Sequence, residues 1–284
     1  MTTYALSLKT NGWHTALLLI LALLTLSPVM AKKKTKLPPL NELYHIHDSI
    51  IKEGRTLYLY EKISWIGTDE YLAKATNKDV TGQFVYKDGD CFNSIFFQKE
   101  DSTCRFEYRF DTNTLLATTA DSIRKLTPTE LAWIATRDVF MKTVNDYMDS
   151  LTILDPSFGT LNTEIIPINE HITRLYLIQG TNKNGIIPMG NDYSFDFNNN
   201  NQLVQFRRYH RSFIPINMPE GAEVRSFTHS HLADNPYITP TDICTFLLYG
   251  RDIYKMKEFS ILSLAYGCTF IFSDEKNMIM TETK

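Results

Sequence analysis

His229-Ser230-His231, seven further residues, then Thr239-Pro240-Thr241-Asp242 is the stretch on which the reading of this chain turns. Two imidazoles and a carboxylate at this spacing are the ligand set of a catalytic zinc site. Such a site takes three N/O protein ligands and leaves a fourth position for water or substrate. The approach Ala222-Glu223-Val224-Arg225-Ser226-Phe227-Thr228 alternates in β fashion, which places His229 and His231 at i and i+2 on one face of a strand. Asn235-Pro236 signals a short loop. Thr239 has the chemistry of a helix N-cap, Pro240 suits the first helical position, and residues 243–248 form an apolar helical run. Asp242 then looks out from the first turn of that helix toward the strand end carrying the histidines.

Outward from this unit, Leu37-Pro38-Pro39 precedes a helix expected over residues 41–53, with Leu43, Ile46, Ile50 and Ile51 as its apolar positions. A mixed stretch runs to residue 76, and strands are expected over 82–86, 92–98 and 105–110. Thr127, Pro128 and Glu130 match a capping box opening a helix that ends near residue 150. Strands follow over 163–168, 172–179, 193–197 and 202–210, with Asn198-Asn199-Asn200-Asn201 as the turn between the last two. Two closing strands are expected over 260–264 and 269–272. The pattern implies an α+β protein, with an N-terminal α+β lobe over 32–125 and a metal-binding domain over 126–284.

Residues 1–31 read as a signal peptide. Lys9 and His14 precede the apolar run of residues 15–24, and Val29-Met30-Ala31 has the small-residue character of a cleavage site. Export to the periplasm or the extracellular space follows, with Lys32 as the first mature residue and no stable membrane span after cleavage; the alternative is an uncleaved signal anchor, for which Lys32-Lys33-Lys34 is the basic flank. Loss of Lys9 alone takes Lys+Arg from 29 to 28 against 32 acidic residues, a net charge of −4. No basic stripe suggests nucleic acid as a partner. An exported chain could oxidise Cys91, Cys104, Cys244 and Cys268. A turn near Glu100-Asp101 sets Cys104 opposite Phe97 rather than Cys91, so a bridge between these two is left open. No Cys-x-x-Cys pair is present, which excludes the usual thiolate zinc knuckles.

The His-x-His, seven residues, Thr-x-x-Asp pattern resembles the JAMM/MPN-type zinc metalloproteases, in a divergent exported form. The resemblance implies an αβα sandwich, zinc held by His229, His231 and Asp242, and hydrolysis of a peptide or isopeptide bond in a peptide or protein substrate. Thr239 stands where the family has a Ser that helps hold the oxyanion. The family's base is a Glu on an upstream strand. With Gly180 as the matching glycine, that position falls on Thr173, which cannot act as a base. Glu170, just before the strand over 172–179, is the first candidate, and Glu164 and Asp192 are the others.

The same residues have simpler readings. Thr, Pro and Asp make an ordinary helix start with a favourable N-terminal charge. His45-Ile46-His47 is a second His-x-His, but on a helix i and i+2 diverge by about 200°, so that pair is not expected to share a metal. Arg207-Arg208 with His210 and Arg211 reads as a solvated strand edge and turn. Two functions are therefore carried forward: an exported zinc-dependent amide hydrolase, and a non-catalytic binding or scaffold protein whose metal site is structural or a relic.

Overall fold

The first element is longer than its sequence suggests. Helix α1 (Leu40–Lys74) turns Leu43, His47, Ile51, Gly54, Leu57, Ile63, Gly67 and Tyr71 inward at steps of mostly three and four residues. The expected stop at residue 53 does not occur. Gly54 is instead a place of close approach: a Cβ there would lie 2.7 Å from Ile243 Cβ and 2.9 Å from Pro240 O. The computed structural model describes residues 35–111, 117–120, 123–221 and 223–283. The expected signal peptide, residues 1–31, lies outside them. No described helix is long and apolar enough to cross a membrane.

Strands β1 (Gly82–Asp88), β2 (Cys91–Gln98), β3 (Thr103–Asp111) and β4 (Ala117–Ala120) form an antiparallel meander, with β5 (Arg124–Lys125) also on β3. Cys104 pairs with Phe97 as expected, and Cys91 and Cys104 are not bridged. Helix α2 (Pro128–Asn145) opens on the Thr127/Glu130 capping box. Next come β6 (Leu161–Pro167), β7 (Ile172–Gln179), β8 (Ile186–Gly190), β9 (Tyr193–Asn198), β10 (Leu203–Arg208) and β11 (Phe213–Asn217). One antiparallel sheet has the order β10-β9-β7-β6, while β8 and β11 pair apart from it. These two carry prolines and were not expected as strands. Pro188 faces Pro215, so the two missing N–H groups fall on one rung of the ladder.

The last sheet holds the motif. Strand β12 (Thr228–His231) leads into α3 (Pro240–Thr245), which continues as a π-helical turn over Phe246–Arg251. The chain returns as β13 (Glu258–Ser263), parallel to β12, and closes with antiparallel β14 (Cys268–Ser273) and β15 (Met278–Thr283). Residues 223–227 do not extend the strand. The architecture is mixed α+β, and Lys36–Lys284 is one compact unit. Helix α1 packs on α3, β2 and β15, so a single apolar cluster runs from Leu43 through Phe96 and Ile243 to Ile279. The lobes expected on either side of residue 126 thus share a core. A second cluster sets α2 on β7 and β9, with Phe140 stacked on Phe197 at 3.7 Å.

Candidate metal centre

Strand alternation turns His229 and His231 inward while Thr228 and Ser230 are exposed. Parallel pairing of His229 with Ile261 and of His231 with Ser263 fixes their height on the sheet. Helix α3 supplies the carboxylate through a capping box. Asp242 Oδ2 accepts from the Thr239 backbone N–H and hydroxyl, each at 2.8 Å, and Asp242 N–H donates to Thr239 Oγ at 3.1 Å. The cap therefore occupies one carboxylate oxygen. The other, Oδ1, is buried without a hydrogen-bond partner.

A third imidazole completes the group. His210, only 5% exposed, brings Nε2 to 2.9 Å from His231 Nε2 and 3.3 Å from Asp242 Oδ1. The solvated-turn reading holds for its neighbour Arg211, whose side chain is exposed, and fails for His210. Three side chains place this residue. Asp192 Oδ1 accepts from Nδ1 at 2.7 Å. The Asn235 amide donates to Arg208 O and Tyr209 O at 3.0 and 2.9 Å, and the Arg208 guanidinium donates to His210 O at 3.0 Å. Only its residue type signalled it in the sequence, and the flanking arginines masked that.

His210, His229, His231 and Asp242 each offer a ligand atom, all within 4.8 Å of one another, so the group could hold a metal ion. Four ligands at zinc or iron distances on a tetrahedron lie about 3.3–3.4 Å apart. Four edges of the group come near this: His231 Nε2 is 2.9 Å from His210 Nε2 and 3.0 Å from His229 Nε2, and Asp242 Oδ1 is 3.3 Å from His210 Nε2 and 3.2 Å from His229 Nε2, within a group that spans up to 4.8 Å. The outer hydrogen bonds argue the same way. His231 Nδ1 donates to Tyr237 O at 2.6 Å and His210 Nδ1 donates to Asp192. In the neutral rings this assignment leaves lone pairs on both Nε2 atoms, facing each other and Asp242, an arrangement that a cation between them satisfies.

Charge follows from the same geometry. Burial disfavours the Asp242 carboxylate, but His210, His231 and His229 outweigh it and hold its pKa well below the usual range. Burial also opposes protonation of His210, yet Asp192 and Asp242 raise its pKa well above the ordinary value. His231 goes the other way, to about 4, because burial outweighs the pull of Asp242 and the neighbouring imidazoles add to it.

A cleft of about 470 Å³ is lined by His210, His229 and His231 together with Tyr209, Arg211 and Asp234. Asp242 is not in its wall and lies behind the histidines. The His210 and His229 rings are 5.4 Å apart, against 4.8 and 4.9 Å for the other two pairs, so the group is widest between two residues that line the cleft.

The expected acids are placed elsewhere. Glu170 sits in the β6–β7 turn, 84% exposed beside His171. There Ile172 pairs with Asn198, whereas the metal group lies at the Tyr193 end of β9, roughly 15–20 Å along the strand. Glu164 is buried on β6 in a different cluster, with Glu61 raising its pKa. Asp192 reaches the group only through His210. None of the three lines the cleft. Thr239 adjoins the group, but its hydroxyl is committed to Asp242 and lies 2.9 Å from that of Thr241. His45 and His47 lie on α1 and are not members of the cluster. No family model, curated protein or solved structure matches this chain.

Proposed function

We propose that this chain is a zinc-dependent hydrolase of peptide or isopeptide bonds that works outside the cytoplasm after loss of residues 1–31. The observation that carries the reading is the convergence of three Nε2 atoms and the buried Asp242 Oδ1, with the three imidazoles lining an open cleft. All-N/O ligation without thiolate suits zinc. The β12–α3–β13 unit, with both histidines on a strand, the carboxylate on the following helix and a parallel return strand, supports a JAMM/MPN-type layout for this part of the fold.

Zinc, when bound, supplies a Lewis acid that acidifies water and polarises a carbonyl. The chain's own residues do the rest. His229 and His231 fix two ligand directions from a rigid strand, and the capping box aims Asp242 Oδ1. The cleft lined by His210, His229 and His231 is the side from which substrate reaches the group. Asp234, the carboxylate in the cleft wall, takes the role of proton acceptor that the family resemblance suggested for Glu170. It pairs with Arg211 at 3.1 Å at the rim of the cleft. An Asp234→Asn variant should lose about 10²–10⁴-fold in kcat with zinc content unchanged, and Glu170→Gln should retain activity.

A second reading rests on the ligand count. Four protein ligands are the pattern of a closed, structural zinc site, which suits a binding or scaffold protein. Metal-free protein titrated with zinc and then offered peptide and isopeptide libraries separates the two. The hydrolase takes up one zinc per chain and cleaves in a zinc-dependent manner, and His229→Ala does neither. Zinc uptake that raises thermal stability without cleavage establishes the structural centre. N-terminal sequencing of native protein beginning at Lys32 tests the export step.

A further inference from the structure

Asp192 is delivered to the metal group by a buried turn held under local strain. Asn191, between β8 and β9, has φ of 56°, in the left-handed region that few non-glycine residues enter. It is fully buried, and its side chain is bonded on all sides: to Thr152 O at 3.0 Å, to Gln179 at 2.8 Å and to the Tyr193 hydroxyl at 2.8 Å. Next to it, Gly190 (φ 73°) lets the chain pass the His210 loop, where a Cβ would come within 2.4 Å of Ser212 O and 3.2 Å of His210 Cβ. A strained position braced this fully persists because the surrounding structure fixes it, and such positions mark functional geometry.

Both oxygens of the Asp192 carboxylate are used. Oδ1 accepts from His210 Nδ1 at 2.7 Å, and Oδ2 accepts from the Thr241 hydroxyl. Thr241 belongs to the first turn of α3, one residue before Asp242, and its hydroxyl lies 2.9 Å from that of Thr239, which donates to Asp242. A continuous buried run of polar contacts therefore joins the loop-borne histidine to the helix-borne carboxylate.

We propose that Asp192 is the positioning residue of this centre, holding His210 on the ion and locking it to α3 through Thr241. This rests on the reading that the cluster binds a metal. His229 and His231 ride on a strand that orients them, and His231 has the Tyr237 carbonyl besides. His210 sits on a turn, and a ligand on a turn loses alignment unless an outer carboxylate fixes its ring.

The test is competitive zinc titration of metal-free wild type, Asp192→Asn, Asp192→Ala and Thr241→Val, followed by the visible spectrum of each cobalt(II)-loaded protein. Wild type should bind one ion with an intense four-coordinate cobalt spectrum. Asp192→Ala should bind about 10–100-fold more weakly and give the cobalt spectrum of His210→Ala. Asp192→Asn, which keeps an acceptor for Nδ1–H, should fall between, and Thr241→Val should lose less than either. Wild-type affinity and spectrum in the Asp192 variants would overturn the proposal while leaving the metal reading intact. A wild type that takes up no metal overturns both. If Asp192→Ala does not fold, Asp192→Asn and Thr241→Val decide, since they keep shape and volume.

Discussion

Two groups of buried acids flank helix α3, and their surroundings drive them in opposite directions. On one side Asp242 is buried among three imidazoles, which hold it ionised despite burial. On the other, Glu61 of α1 and Glu164 of β6 are buried near each other with weaker help: Asn162 donates to Glu61 at 3.1 Å, Ser64 bonds Glu164, and the Arg137 charge offsets burial of Glu164 only in part. Burial pushes Glu61 up to about 7, and burial plus the Glu61 charge raises Glu164 well above its ordinary value. Equal burial thus gives one committed anion and one reluctant pair. Depth in the core does not decide what a carboxyl can do; the charges facing it do. Glu164, a candidate base by sequence, lies in the group that favours its proton.

The largest expected effect comes from the cationic side. His231→Ala or Asp242→Ala should reduce zinc from one per chain to none by elemental analysis. Each should also abolish the zinc-induced rise in melting temperature, which at a thousandfold excess over Kd represents about 4 kcal/mol. Retention of tightly bound zinc in either variant would break the contrast at its root.

The next effect belongs to the acid pair. The folded pKa of Glu61 lies above its unfolded value, so its contribution is fully present below pH ~4.5 and is lost as pH rises through about 7. Glu61→Gln should remove much of this loss and stabilise the protein at pH 8 by on the order of 2 kcal/mol relative to wild type, measured by urea unfolding. An identical pH dependence in the two proteins would show that the pair does not hold its proton. The smallest effect is expected at His47, whose ring packs edge-on against Phe270 at 5.1 Å. His45→Ala and His47→Ala should leave zinc stoichiometry unchanged, and only the second should lower stability, by about 1–2 kcal/mol.

The parts of the centre carried by regular elements were legible in the sequence. His229 and His231 follow from strand alternation, and Asp242 from the cap at Thr239 and Pro240. His210 was not legible, because its place depends on Asp192 and Asn235, side chains 18 and 25–27 residues away in sequence. Glu170 was misleading for a related reason: it adjoins the start of β7, but that strand runs from the far end of the sheet toward the site. In the fold, β1, β2, β3, β6, β7 and β9 were expected close to where they lie, whereas the short β4 and β5 were not. The extension of α1 past Gly54 was not, since the glycine marks an approach by α3 that only tertiary structure reveals. Pro188 and Pro215 concealed β8 and β11, because their mutual pairing has no local signature.

The long first helix has a consequence for the order of events at the ribosome. Arg55 reaches Asp274 at 2.7 Å across 219 residues of chain, and the apolar face beside it packs on α3 and β15. That face emerges early and waits for partners made much later. At about 5–20 residues per second, the wait is on the order of 10–40 s. An amphipathic helix left open that long is a natural client for a holding chaperone. Asp242 sits on α3, the element this helix packs against, so the carboxylate's final place belongs to the completed fold.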